Sequence, residues 1–224
     1  PYTAKPGVPL TYGDPTLLFD ALGHLAYRTE EWIVVGKAGD ATFTSPWSHK
    51  GGGLLGADNG GNILVWEYSG HLMALKDGKT TWSTAFTDGV RGAVVTDDGT
   101  VVVGGVKIRA IDGAGKLLWE FADTALDPDQ TEWLIASADG RIYAGAARRI
   151  FVLGQSGALL ATWSLPGGLS AIPVLSDDGS LYLPQIVEGS GPALRKVRAG
   201  TKGLAKSRWA RPGRDNQNTF NAEL

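Results

Sequence analysis

Few residues of this 224-residue chain have the types and spacing that chemistry requires. Cysteine is absent, which excludes disulfides, thiolate metal sites and a thiol nucleophile. The histidines His24, His49 and His71 form no HxH, HxxxH or HExxH arrangement, so they do not pair as metal ligands. They read as polar residues at strand ends and loops. No Gly-x-Ser-x-Gly elbow accompanies them, and no catalytic residue is assigned. Asp123, Asp127, Asp129 and Glu132 gather around one loop and could offer oxygens to Ca²⁺. Their spacing fits no EF-hand, Pro128 interrupts it, and a solvated loop is the better reading. Gly51-Gly52-Gly53 lacks the Gly-Lys-Ser/Thr ending of a phosphate loop and reads as a connection. Arg195, Lys196, Arg198, Lys202, Lys206, Arg208, Arg211 and Arg214 run without an intervening acid. Such a run can attract a polyanion, but it also suits the edge of an outer strand, where charge blocks unwanted pairing. With a formal net charge of −2, no global field points to nucleic acid, and neither a cofactor nor a metal is expected.

The elements that must carry these residues are repeated. Gly23, Gly61, Gly99, Gly140 and Gly179 lie about forty residues apart, each close behind an acidic residue. Apolar runs flank each turn, such as Ala93-Val94-Val95 before Asp97-Asp98-Gly99 and Val101-Val102-Val103 after it. Acid and glycine between two apolar runs is a hairpin signal, because glycine accepts positive φ at no steric cost. The second run of each hairpin is continuously apolar rather than alternating, which predicts strands buried on both faces. A second hairpin follows in each unit. In the third it is Ala110-Ile111-Asp112-Gly113-Ala114-Gly115-Lys116-Leu117-Leu118-Trp119. Trp47, Trp82, Trp119, Trp163 and Trp209 all fall an even number of residues after their turn glycine. Residues two apart on a strand share a face, so each Trp is expected to project from the same side of its outer strand and dock on a neighbouring sheet.

Four strands per unit of about forty residues predict an all-β fold, a β-propeller of five four-stranded antiparallel blades. The expected blades cover 11–47, 52–86, 91–121, 132–165 and 170–211 of a single domain, 1–224. The tail 212–224 and the arm Pro1–Leu10 are expected to latch a closed seam. No apolar run reaches the roughly 18 residues that span a bilayer. The chain opens on Pro1 rather than Met, and any targeting segment is expected outside it.

Ala110, Asp112, Gly115, Lys116 and Trp119 resemble the tryptophan-docking motif of the PQQ-like, quinoprotein-type β-propeller repeat, with Ala114 in place of its Thr. Ala74, Gly78, Lys79 and Trp82 give a copy one residue shorter, and the tail from Trp209 to Thr219 is similar to a blade-junction segment of such proteins. The resemblance spans nearly the whole chain and implies a fold more than a function. Quinoprotein dehydrogenases and the propeller lipoprotein of outer-membrane barrel assembly share this repeat, usually with eight blades.

In a four-stranded blade, the turns after the second strand and the loops leaving the fourth open on one rim. That rim is expected to gather His49, Trp66, Tyr68, Arg91, Trp133, Gln185 and Glu188, with aromatics and Arg suited to protein or glycan contact. The expected function is a non-catalytic, protein-binding scaffold, periplasmic or extracellular, in a bacterial cell envelope. A carbohydrate-binding propeller is the alternative. A fragment of a PQQ-dependent dehydrogenase is least favoured, because the vicinal Cys pair usual in that family is missing.

Overall fold

The computed structural model describes residues 17–19, 24–28, 32–37, 47–50, 52–77, 79–124, 126, 131–146, 148–207 and 210. In the first sheet, burial is described only for Ala26, Ile33 and Val34. The described residues form strands, turns and irregular segments but no helix. The first sheet is β1 (Leu17–Phe19), β2 (His24–Arg28), β3 (Trp32–Lys37) and β4 (Trp47–Lys50). The second is β5 (Gly52–Ala57), β6 (Ile63–Glu67), β7 (His71–Lys76) and β8 (Lys79–Ala85). The third is β9 (Gly92–Val95), β10 (Val101–Gly104), β11 (Ile108–Ile111) and β12 (Leu117–Phe121). The fourth is β13 (Thr131–Ala136), β14 (Ile142–Ala146), β15 (Arg149–Leu153) and β16 (Leu159–Ser164). These four are antiparallel meanders in sequence order.

The acid-glycine turns make the hairpins. Gly99 has φ +85° and donates its N–H to Thr96 O at 3.0 Å, while Thr96 N–H returns to Thr100 O at 3.0 Å. Ser137 to Arg141 and Ser176 to Ser180 repeat this geometry. The sheets then stack face to face, and side-chain alternation shows how. Ala93, Val95, Val101 and Val103 join the core shared with the second sheet, whereas Val94, Val102, Ile108 and Ala110 join the core shared with the fourth. The inner strands of the third sheet are therefore buried on both faces, as their unbroken apolar runs predict. A further core joins Trp133, Ile135 and Tyr143 to Leu175, Leu181 and Leu183 of the fifth sheet. The first strands β5, β9 and β13 contact one another in succession, and the last strands β8, β12 and β16 are largely exposed. This is the blade arrangement of a β-propeller.

The fifth sheet reaches four strands by another route. β17 (Gly168–Leu169) and β18 (Val174–Leu175) both pair with β19 (Ser180–Val187), at opposite ends of it. β20 (Gly191–Arg198) pairs with β19 over eight residues. Residues 204–207, which carry the spacing of an outer strand, do not lie against β20. Ala138 N–H reaches Gly203 O at 2.9 Å, Ala205 N–H reaches Ala136 O at 2.9 Å, and Ala136 N–H reaches Ala210 O at 2.7 Å. Ser207 Oγ bonds Val95 O, and Lys206 N–H bonds the Asp97 carboxylate. The segment thus runs past the first strands of the fourth and third sheets, where these bonds hold it.

Candidate binding site at the rim

The tryptophan docking takes a specific form. Gly115, at φ +86°, sits so close to Trp82 that an added Cβ would lie 3.0 Å from the ring, and Thr84 Oγ1 donates to Gly115 O. Gly157, at φ +81°, underlies Trp119 in the same way, and a Cβ there would lie 2.6 Å from the indole. Trp119 Nε1 donates to Gln155 O at 2.8 Å, whereas Trp82 Nε1 is buried without a partner among the described residues. Each of these two outer-strand Trp residues therefore rests on the outer-hairpin glycine of the next sheet. Asp112 shapes one such hairpin by accepting from Ala114 and Lys116 N–H, both at 2.9 Å, and these bonds hold its carboxyl below the usual range. Trp163 packs against Tyr143 at 5.9 Å between ring centroids. Trp47 lies in β4 with its side chain outside the described residues, and Trp209 lies outside them altogether.

At the opposite rim the second and third sheets enclose a cavity of about 410 Å³, a volume suited to one anchoring side chain or small ligand. Trp66 enters it from β6, Tyr68 from the turn after β6, and Asp88, Val90 and Arg91 from the loop between sheets. Gly52, Gly53, Gly89 and Gly105 complete the wall. The glycines allow close backbone approach: a Cβ on Gly105 would lie 2.4 Å from Gly89 O. Arg91 N–H donates to Gly104 O and Phe86 N–H to Gly70 O, each at 2.7 Å, which fixes the loop on the neighbouring turns. Trp66 is buried, and Tyr68 is 70% exposed above the opening.

A charged network stiffens this rim. Arg109, on the otherwise apolar β11, bonds Asp88 Oδ2 and, at 2.8 Å, Glu120 Oε2. Its guanidinium lies 4.7 Å from the Phe86 ring centroid, and Lys107 Nζ reaches Glu120 Oε1 at 2.6 Å. Burial alone would raise the Asp88 pKa, but the Arg109 bond and charge outweigh it and hold the carboxyl below its usual range. Glu120 is held low by the Lys107 bond first and by Arg109 as well. Burial pulls the Arg109 pKa down, and its two carboxylate partners more than reverse that. Asp88 Oδ1 is buried with no hydrogen-bond partner among the described residues.

The expected rim is thus only partly assembled. Trp66, Tyr68 and Arg91 come together around the cavity. Trp133 does not join them. It is a core wedge, 3% exposed, lying over Gly145, where a Cβ would fall 2.1 Å from the indole. The register shift between Thr131 and Trp133 accompanies this inward placement. Gln185 is buried in β19, with Nε2 unpartnered among the described residues. Glu188 is exposed on the turn between β19 and β20, outside the cavity. His49 pairs through its backbone with Ile33, and its side chain lies outside the described residues, as do Asp127 and Asp129. Sequence reasoning missed Asp88 and Arg109, although a lone Arg inside an apolar run such as Ile108–Ile111 signals a buried ion pair. Among the described residues, no group of three or more His, Asp or Glu could hold a metal ion. Nor is any helix there long and apolar enough to cross a membrane.

The profile of the family described as outer membrane protein assembly factor BamB matches residues 29–181. No curated protein matches the chain significantly by sequence. Among solved structures, the chain is similar to BamB from Moraxella catarrhalis, with 19% identity and a TM-score of 0.60 over 85% of this chain and 62% of that one. It therefore spans less than two thirds of that protein's length. Virginiamycin B lyase from Staphylococcus aureus gives 12% identity and a TM-score of 0.58, covering 84% of this chain and 71% of the other. The WD40 propeller domain of Doa1 gives 13% and 0.54, covering 81% and 67%. Likeness at these identities concerns the fold alone, which binding modules and enzymes share.

Proposed function

Because the chain belongs to the BamB family of PQQ-like propellers, we propose that it is a non-catalytic protein-interaction scaffold of a bacterial cell envelope, periplasmic or extracellular. In this reading the five sheets are blades of one domain, which presents a rigid rim to a protein partner. The cavity between the second and third sheets carries the proposal. It combines two aromatics and a cation on turns fixed by backbone bonds. An anchoring side chain with an apolar body would pack on Trp66 and Tyr68. Aromatics and Arg dominate interface energetics in this way.

The test is site-specific photo-crosslinking in the native host. A photoreactive residue at Tyr68 should give one discrete adduct with an envelope protein, lost on Arg91→Ala. The same residue at Leu118, 51% exposed on β12, should not give that adduct. Adducts of equal strength from both positions would remove the cavity from consideration. A glycan is the competing occupant, since two aromatics beside a carboxylate also suit a sugar ring. Selective saccharide binding on an array, abolished by Trp66→Ala, would move the function there.

A further inference from the structure

Among the described residues, the fifth sheet ends on a strand with an open edge. β20 has β19 on one side, and among the described residues nothing pairs with the other. Most of its positions are exposed, and Leu194 is 68% exposed. Beside this edge lies a groove of about 290 Å³ lined by Trp163, Ser164, Leu165, Leu183, Arg195 and Val197. Its location follows from register. Leu181 and Leu183 face the fourth sheet, and their cross-strand partners Val197 and Arg195 share that face. Trp82 and Trp119 each rest on the outer hairpin of the next sheet, but the fifth sheet offers Trp163 no such hairpin. The groove is the space beside which an outer strand would run.

We propose that the β20 edge and this groove form a docking surface for an extended acidic segment of another protein, which adds to the fifth sheet as its outer strand. An unpaired edge supplies backbone donors and acceptors for strand addition, and alternate side chains of the guest enter the groove. Charge selects the guest. Arg195 and Arg198 have no carboxylate partner among the described residues, while Lys196 is paired with Asp178 at 3.1 Å. A guest carboxylate on the groove side would meet Arg195, while an apolar residue two positions along covers Trp163 and Val197. Two of the chain's own segments match poorly. Pro1, Pro6 and Pro9 remove donors from Pro1–Leu10, which contains no acid. The segment from Gly203 to Ser207 is held at β13 and β9 and is basic at Lys206. The inference does not depend on the cavity between the second and third sheets.

The probe is a capped octapeptide of valine and aspartate in alternating pairs, titrated into the full chain by fluorescence anisotropy, with hydrogen exchange read at residues 191–198. The acidic peptide should bind and protect β20 amides. The corresponding valine–lysine octapeptide, and the acidic peptide N-methylated along one edge, should each bind at least about tenfold more weakly. Arg195→Glu with Arg198→Glu, both surface changes, should reverse the preference towards the lysine peptide while leaving the circular-dichroism spectrum unchanged. Equal binding of the two charge types, or unaltered exchange at β20, would overturn the proposal. So would β20 amides already protected in the free chain and exposed by removing residues 1–16 or 211–224, which would make one of the chain's own ends the occupant. A dimer in sedimentation that shields β20 from the peptide would overturn it too.

Discussion

Substituting Gly157 by Ala should test the docking of one sheet on the next more sharply than removing the Trp itself. Gly157 has φ +81°, and an added methyl would lie 2.6 Å from Trp119 Cδ2 and 2.7 Å from Cε3. Two costs therefore add. An L-residue in the left-handed region costs about 1–2 kcal/mol, and overpacking against a fixed ring costs about 1–3 kcal/mol. Gly157→Ala should lose about 2–5 kcal/mol in total. Gly189, at φ +77° with nothing within 4 Å of an added methyl, isolates the backbone cost, so Gly189→Ala should lose only about 1–2 kcal/mol. Gly113, with open space around it and no positive φ, should change by less than about 0.5 kcal/mol. In a Trp119→Ala background the steric cost disappears, and Gly157→Ala should fall to the Gly189→Ala value, giving a coupling of about 1–3 kcal/mol. The assay is urea unfolding followed by far-ultraviolet circular dichroism, with native-state hydrogen exchange at β12 and β16, because repeat proteins can open blade by blade. A cost for Gly157→Ala equal to that of Gly189→Ala, or unchanged by Trp119→Ala, would refute the close seat.

Other expectations rest on the same geometry. Trp119→Phe forfeits the bond to Gln155 O and should cost about 1 kcal/mol more in urea unfolding than Trp82→Phe, where the same ring truncation removes an Nε1 that has no partner among the described residues. Gly145→Ala places a methyl 2.1 Å from Trp133 and should destabilise by about 1–3 kcal/mol or more without affecting any rim crosslink, separating Trp133 from the binding site. Arg109→Met leaves Asp88 and Glu120 without their shared guanidinium and should cost about 3 kcal/mol in denaturant titration. Both carboxyls have depressed folded-state pKa values, so their contribution is complete above an unfolded pKa of about 4 and disappears as pH falls through the lower folded values. Thermal melts of the parent between neutrality and pH 2 should show this acid-labile component, and Arg109→Met should lose the Asp88 part of it while keeping the part that Lys107 gives Glu120.

What the sequence discloses about this molecule is the part governed by neighbours in the chain. The hairpin glycines, the doubly buried strands and the even spacing of the Trp residues are local, and the sheets reproduce them from Gly52 to Ser164. The end of the chain is not local. Gly157 to Trp163 and Gly203 to Trp209 have the same spacing, yet only the first leads along an outer strand of its own sheet. The choice between pairing with β20 and pairing with β13 is made by contacts distant in the chain, which no local spacing encodes. The rim divides along similar lines. Tyr68 sits on a turn whose exposure follows from the hairpin. Trp133 reads as equally free at a strand entrance, but the irregular register beside Thr131 places it in the core. Asp88 acquires its role from Arg109, a partner on another element that no spacing rule supplies.

The return of residues 203–207 across earlier blades also bears on how the chain reaches its fold. Most pairings join adjacent strands, so the sheets can form progressively as the chain lengthens. Lys206 and Ser207 instead meet partners 109 and 112 residues earlier. Closing so long a loop is entropically mild, because each doubling of length adds only about 0.6 kcal/mol. It is nevertheless ordered in time, since the groups of β9 and β13 must be in place before the segment can settle on them. Such non-local contacts slow folding. Refolding should end in a late phase in which exchange protection of Ala136, Ala138 and Ala205 appears after that of β6, β10 and β14. The clasp would then act as a checkpoint on assembly, engaging only a chain whose middle blades are already correct.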